Sequence, residues 1–197
     1  MAADSSSFGA FVFKHRGALL AAPAVLLTIV GKPTAGSIAL GLPLALAGEL
    51  LRCCAVGFSG TTTRGDVVTA PQLVTAGPYA HVRNPLYVGN FVTAAGFAIA
   101  FTGGMRPVSR FLVAGGSLAL MFGVYSVIVP HEESYLRGTF GDAFDAYAAR
   151  VPRVVPQLTP AEPQNGTFDP SVIRSAETKT FATFGLMLAA LAIKALR

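Results

Sequence analysis

The sequence predicts an all-α protein: a polytopic membrane bundle of about five transmembrane helices with an added amphipathic helix on the cytoplasmic face. Only 13% of the 197 residues are charged, against roughly 25% in a soluble domain. Asn84 to Met105 and Phe111 to His131 carry no charge at all, and each is long enough to cross the roughly 30 Å hydrocarbon core as a helix. Mean hydropathy is +0.56, so little chain remains for a separate soluble domain. One integral membrane domain, 1–197, is expected.

The first span runs from Phe8 to the Gly31-Lys32-Pro33 turn, with Lys14 and Arg16 snorkelling toward headgroups. Lys14, His15 and Arg16 resemble the basic region of a secretory signal, but Asp4 and Ser5 to Ser7 make too long and polar a lead. A second span, about Ser37 to Phe58, completes the N-terminal region 1–58 and holds Glu49 and Arg52 one turn apart, close enough to pair. Polar, Thr- and Gly-rich 59–85 is a loop. Span three is about Leu86 to Gly104, a turn covers Met105 to Arg110, and span four is about Phe111 to Pro130. In 131–156, Leu136, Phe140, Phe144 and Tyr147 recur at helical spacing, which predicts an amphipathic helix lying at the interface or folded back over the bundle. Thr159 to Pro170 reads as an irregular linker, and 178–197 as a C-terminal span.

With five spans and the N-terminus inside, ten of the fifteen Lys and Arg residues, Arg64 among them, face the cytoplasm. That bias places the N-terminus and both long polar segments on the cytoplasmic side. The net charge of +5 comes from scattered residues and fits anionic headgroups better than nucleic acid, so the partners expected are the bilayer and small molecules. Adjacent Cys53 and Cys54 match no metal-ligand spacing and read as small apolar helix residues, and no metal site is expected. No internal repeat is present. A soluble Rossmann-type enzyme is excluded because no strand leads into a Gly-rich turn.

Chemistry concentrates in two places. The run from Gly77 to Asn90 carries Tyr79, His81, Arg83, Asn84, Pro85, Tyr87 and Gly89 at a helix start. Free backbone N–H groups and the Arg83 guanidinium there favour an anionic ligand group, although Tyr79, Tyr87 and Arg83 also read as an interfacial belt. The second place is Glu132-Glu133, a carboxylate pair suited to a cationic or amine-bearing group, although taken alone it reads first as a solvated acidic turn.

Together the clusters form the pattern G-P-Y-x-x-x-R-N-P-x-Y-x-G, then one hairpin's worth of apolar sequence, then E-E-x-x-L-x-x-x-F-G-x-x-F-x-x-Y-x-x-x-V-P-R. This resembles the membrane methyltransferases of the isoprenylcysteine carboxyl methyltransferase and phospholipid methyltransferase superfamily, over about Gly77 to Pro156. The resemblance implies a C-terminal half that encloses S-adenosyl-L-methionine, with a lipophilic or amphiphilic acceptor entering from the bilayer. Tyr79, His81, Arg83, Asn84, Pro85, Tyr87 and Gly89 would line the cofactor pocket from one side. Glu132 and Glu133 would close it from the other, and Arg83, Glu132 and Glu133 would serve catalysis. The family usually has His where this chain has Asn84, which can hydrogen-bond but cannot titrate. His81 and His131 are the alternatives for an acid–base role, each also readable as an interfacial polar residue. The expected acceptor is an isoprenylcysteine-type carboxylate; a phospholipid amine and a small thiol are the alternatives. A non-catalytic module holding haem or quinone through His15, His81 or His131 is the reading of a different class.

Overall fold

A computed structural model describes residues 3–60 and 70–196, with only the backbone described for 3–7. Arg64, counted above toward the cytoplasmic face, lies outside the described residues, as does Arg197. Helices α1 (Ala3–Val30), α2 (Ala35–Ser59), α3 (Pro85–Thr102), α4 (Pro107–Arg110), α5 (Gly116–Phe140), α6 (Asp142–Arg150) and α7 (Ser171–Ala195) follow in order. A π-helical turn, Phe111–Gly115, joins α4 to α5, and a 3-10 turn covers Gly77–Ala80. Among the described residues, five helical stretches are long and apolar enough to cross a membrane: Phe8–Val30, Ala35–Ser59, Pro85–Thr102, Pro107–Phe140 and Ser171–Ala195. The chain is an integral membrane helix bundle of the class expected.

Two boundaries differ from expectation. The fourth span does not stop at Pro130, because α5 continues to Phe140 with Pro130 inside it. Membrane helices tolerate an internal proline where neighbouring groups satisfy the freed backbone. The amphipathic segment 131–156 is therefore not one helix. Its first ten residues belong to α5, the helix breaks at Gly141, and α6 turns Phe144 and Tyr147 inward. There they pack with Leu136 and Phe140 of α5 and with Leu73 and Ala161. At the other end, α7 starts at Ser171, ahead of the expected Thr178.

The contacts divide the chain into two compact units, each built from three segments: 1–14, 51–88 and 125–177 in the first, 15–50, 89–124 and 178–197 in the second. The second unit has an apolar core of Leu27, Ala45, Phe97, Ala98, Ala100, Phe101, Met187 and Leu191. Within it α2 and α3 approach backbone to backbone: a Cβ on Gly48 would collide with Thr93 and sit 2.6 Å from the Gly89 carbonyl, and one on Gly96 would collide with Ala45. Small residues permit that approach, which supplies the packing that helices in lipid depend on. The ends are tied by polar groups. Ser37 Oγ donates to Ala100 O (2.8 Å), and Lys194 Nζ donates to the Ile29 and Gly31 carbonyls (3.0 and 3.1 Å) at the C-terminus of α1.

The first unit holds a smaller apolar cluster, Phe144, Tyr147 and Val151, packed by Leu73, Leu136, Phe140 and Ala161. Segment 152–170, of which only 159–170 is expected as an irregular linker, is a hydrogen-bonded strap that runs antiparallel to 73–83. Arg83 N donates to Pro152 O (2.9 Å), Gln157 N to His81 O (3.0 Å), Ala161 N to Ala80 O (2.9 Å), and Thr75 N to Asn165 O (2.8 Å). Asn165 reinforces the far end by donating from Nδ2 to Leu73 O (2.8 Å). Backbone groups with no helix to join are satisfied this way.

Candidate active site

The site lies in the first unit, where Gly77 makes the turn. Its φ is +61°, and a Cβ there would also strike the Phe58 ring, so only glycine suits the position. Pro85 then opens α3 at the first helical position, where its missing N–H costs nothing. The Asn84 carbonyl accepts from Tyr87 N and Val88 N (both 3.1 Å), which leaves the Asn84 side chain free to point elsewhere.

It points at Glu133. Asn84 Nδ2 donates to Glu133 Oε1 (3.2 Å) and to Arg153 O (3.1 Å). Arg83 Nε lies 3.3 Å from the same carboxylate oxygen, while Arg153 grips Oε2 with Nε (3.0 Å) and Nη2 (2.6 Å). The Glu133 side chain is 5% exposed and that of Arg153 51%. A carboxylate so buried is costly unless charged donors surround it. The Arg153 guanidinium and the Asn84 amide donate to it here, and the Arg83 guanidinium adds its charge at ion-pair distance.

Glu132 takes a different partner. The Tyr87 hydroxyl donates to its Oε1 (2.6 Å), and the Tyr87 ring packs against Tyr125 with centroids 4.6 Å apart. Adjacent residues point about 100° apart on a helix, which is why the two carboxylates serve separate groups. Tyr79 is reached from α6, where the Tyr147 hydroxyl donates to Tyr79 O (2.8 Å). Burial pushes the Tyr79 phenol well above its ordinary value; the Ser59 hydroxyl opposes the shift and the Glu132 charge adds to it. Burial raises the Tyr147 phenol too. The His81 Nδ1 faces the Gln157 carbonyl at 2.8 Å. A carbonyl only accepts, so Nδ1 carries a proton and His81 ties the strap down.

Of the nine residues singled out in the sequence, eight fall in this unit. Gly89 falls in the other, in the close α2–α3 contact. His131 lies beside the Phe13 ring (centroids 6.1 Å), and His15 belongs to the second unit. Arg153, the last residue of the V-P-R signature, and Gln157 and Asn165 of the strap join the site or its support without a motif that assigns them a role. A second buried ion pair was also unforeseen: Arg52 of α2 donates to Glu177 of α7, whose side chain is fully buried.

A family model described as phospholipid methyltransferase matches residues 37–143, over half of the chain. A nickel-cobalt-cadmium resistance protein of Alcaligenes xylosoxydans xylosoxydans is 35% identical over 121 residues, 61% of this chain and 48% of its own length. A protein-S-isoprenylcysteine O-methyltransferase of Schizosaccharomyces pombe is 34% identical over 115 residues (56% and 46%), and protein-S-isoprenylcysteine O-methyltransferase B of Arabidopsis thaliana 29% over 120 (59% and 57%). The chain thus spans about half the length of the curated relatives it matches. No solved structure matches it. The matched stretch contains the Arg83-to-Gly89 motif and the Glu132-Glu133 pair, around which the described site is built, and the chain belongs to the phospholipid methyltransferase family.

Proposed function

We propose that this chain transfers the methyl group of S-adenosyl-L-methionine to a membrane-partitioned acceptor, from a cytoplasmic-facing site around Glu133. The observation that supports it is the buried Glu133 carboxylate held by Arg83, Asn84 and Arg153 beside the Tyr87–Glu132 pair. The donor set fits the cofactor. An aminoacyl carboxylate matches the half-exposed guanidinium of Arg153, an ammonium or ribose diol matches the half-buried Glu132, and Tyr79 and Tyr87 offer aromatic faces. When bound, the cofactor supplies a sulfonium-activated methyl that needs no further activation from the protein.

The protein's part is then to hold, orient and exclude water. Glu133 fixes Arg83 and Arg153 to one point, so both guanidiniums are positioned before a ligand arrives. Tyr87 sets the Glu132 carboxylate. The strap covers the backbone from Thr75 to Arg83 and limits water on that side. A carboxylate acceptor needs no general base, whereas an ammonium must first lose a proton. Both Glu133 oxygens already accept bonds from Asn84 and Arg153, and Asn84 cannot titrate, so the acceptor best served is a carboxylate of the isoprenylcysteine type. The family description favours a second reading, a phospholipid amine, with Glu132 as the group nearest to act as base.

The test is transfer from methyl-labelled cofactor, with total lipid extract, a farnesylcysteine analogue and simple thiols offered in parallel. Label in the farnesylcysteine fraction is the expected result; label only in aminophospholipid selects the second reading. In detergent, Glu133→Ala and Arg83→Ala should each weaken S-adenosylhomocysteine binding at least about tenfold. Unchanged binding in both removes the site.

A further inference from the structure

The first part of the strap, 153–158, is inverted for a segment in water. Its two polar side chains bond to the protein: Arg153 binds Glu133, and Gln157 Nε2 donates to Ala80 O (3.2 Å). Its apolar ones turn out. Val154 is 55% exposed, Val155 77% and Leu158 99%. Surface loops normally show the opposite arrangement, and three large apolar side chains within five residues need a cover.

We propose that Val154, Val155 and Leu158 insert into the headgroup–acyl boundary of the bilayer, making the strap an interfacial anchor. Charge and chain continuity argue for lipid as the occupant. Exposed Arg150 and half-exposed Arg153 precede the apolar residues, and the first acidic residue after them is Glu162, four positions beyond Leu158, a pattern that fits anionic headgroups above an apolar layer. The strap also connects helices that cross the bilayer, α5 through α6 on one side and α7 on the other. By contrast the outward positions of α6 include Asp142 and Asp145, a face made for water. Anchored there, the strap holds Arg153 and Gln157 against Glu133 and Ala80 from the lipid side, at the level where an amphiphilic acceptor resides.

The chain contains no tryptophan, so Leu158→Trp makes a single reporter at a position too exposed to disturb folding. The full chain is reconstituted in phosphatidylcholine–phosphatidylglycerol vesicles, with Phe122→Trp, on the exposed side of α5, as a mid-span reference. The expected result for Leu158→Trp is emission shifted to shorter wavelength than in water. Lipids brominated near the glycerol should quench it more strongly than lipids brominated near the chain end, the reverse of the order for Phe122→Trp. Water-like emission quenched by aqueous iodide overturns the proposal. So does a blue shift insensitive to brominated lipid, which would mean that a second copy of the chain or another protein covers the patch. The readout is independent of methyl transfer, so it stands or falls apart from the proposed function.

Discussion

The two units hold their helices together by opposite means. In the second, α2 and α3 meet through Gly41, Gly48 and Gly96, and the core is Phe, Leu, Met and Ala. In the first, Glu133 alone gathers Arg83, Asn84 and Arg153, and Arg52 pairs with Glu177. Lipid offers helices little hydrophobic gain on association, so either close packing or polar contact must do the work. Close helix packing is indifferent to charge and intolerant of volume, whereas the ion cluster of the first unit depends on charge. An isosteric change that removes charge should therefore damage the first unit, and an added methyl the second.

The largest effect is expected from Glu133→Gln, which keeps shape and removes the charge. It leaves two guanidiniums facing a neutral amide, and breaking a buried pair in this way costs about 3–5 kcal/mol, toward the low end because Arg153 is half exposed. Unfolding in mixed detergent should show that loss. Wild-type stability in Glu133→Gln would mean that the cluster is not what holds the unit. Next comes Gly96→Val. Its Cβ would meet backbone atoms of Ala45 and Gly41, which cannot swing away as a side chain can. Overpacking of this kind costs about 1–3 kcal/mol, with S-adenosylhomocysteine affinity of the folded fraction unchanged. Equal loss of affinity in both variants would erase the distinction.

How much of this was legible follows from what each force leaves in a sequence. The spans were legible because a bilayer demands long uncharged runs, and Asn84 to Met105 displays one directly. The ends of α5 and α7 were not. Pro130 looks like a stop and Glu177 like a polar flank, yet a tertiary partner decides each: Leu136 and Phe140 pack on α6, and Glu177 meets Arg52. The strap left no trace because backbone hydrogen bonds such as Ala161 N to Ala80 O need no residue type and have no period. Arg83, Asn84, Glu132 and Glu133 were legible as a motif. Their wiring was not, since adjacent glutamates say nothing about which of them turns inward.

A smaller effect belongs to Tyr147, whose hydroxyl binds Tyr79 O. Tyr147→Phe removes one neutral hydrogen bond and should cost about 1 kcal/mol at neutral pH. Its pH dependence sharpens the assignment. Burial raises the folded-state value of this phenol above its ordinary 10.0. The stability it contributes is thus full below that value and falls as pH rises beyond it, because unfolding then releases a proton. Tyr147→Phe should flatten part of this alkaline decline, leaving the part due to Tyr79, which is raised in the same direction. An unaltered alkaline slope would show that Tyr147 is not buried as described.

The smallest effect separates an ion pair from its surroundings. Arg137 Nε lies 2.7 Å from Asp145 Oδ1, as close as the 2.6 Å between Arg153 and Glu133, but both side chains are more than half exposed. Water already solvates each charge, so little is gained by pairing and little lost by parting. Asp145→Asn keeps Arg137 over the Phe144 ring, at 5.4 Å from its centroid, and should leave the unfolding midpoint within experimental error of wild type at moderate salt. Arg153→Ala, which removes a residue just as exposed as Arg137, should lower the midpoint clearly, because the carboxylate it leaves behind is buried. If the two variants behaved alike, the burial of Glu133 would not be what gives the first unit its sensitivity to charge.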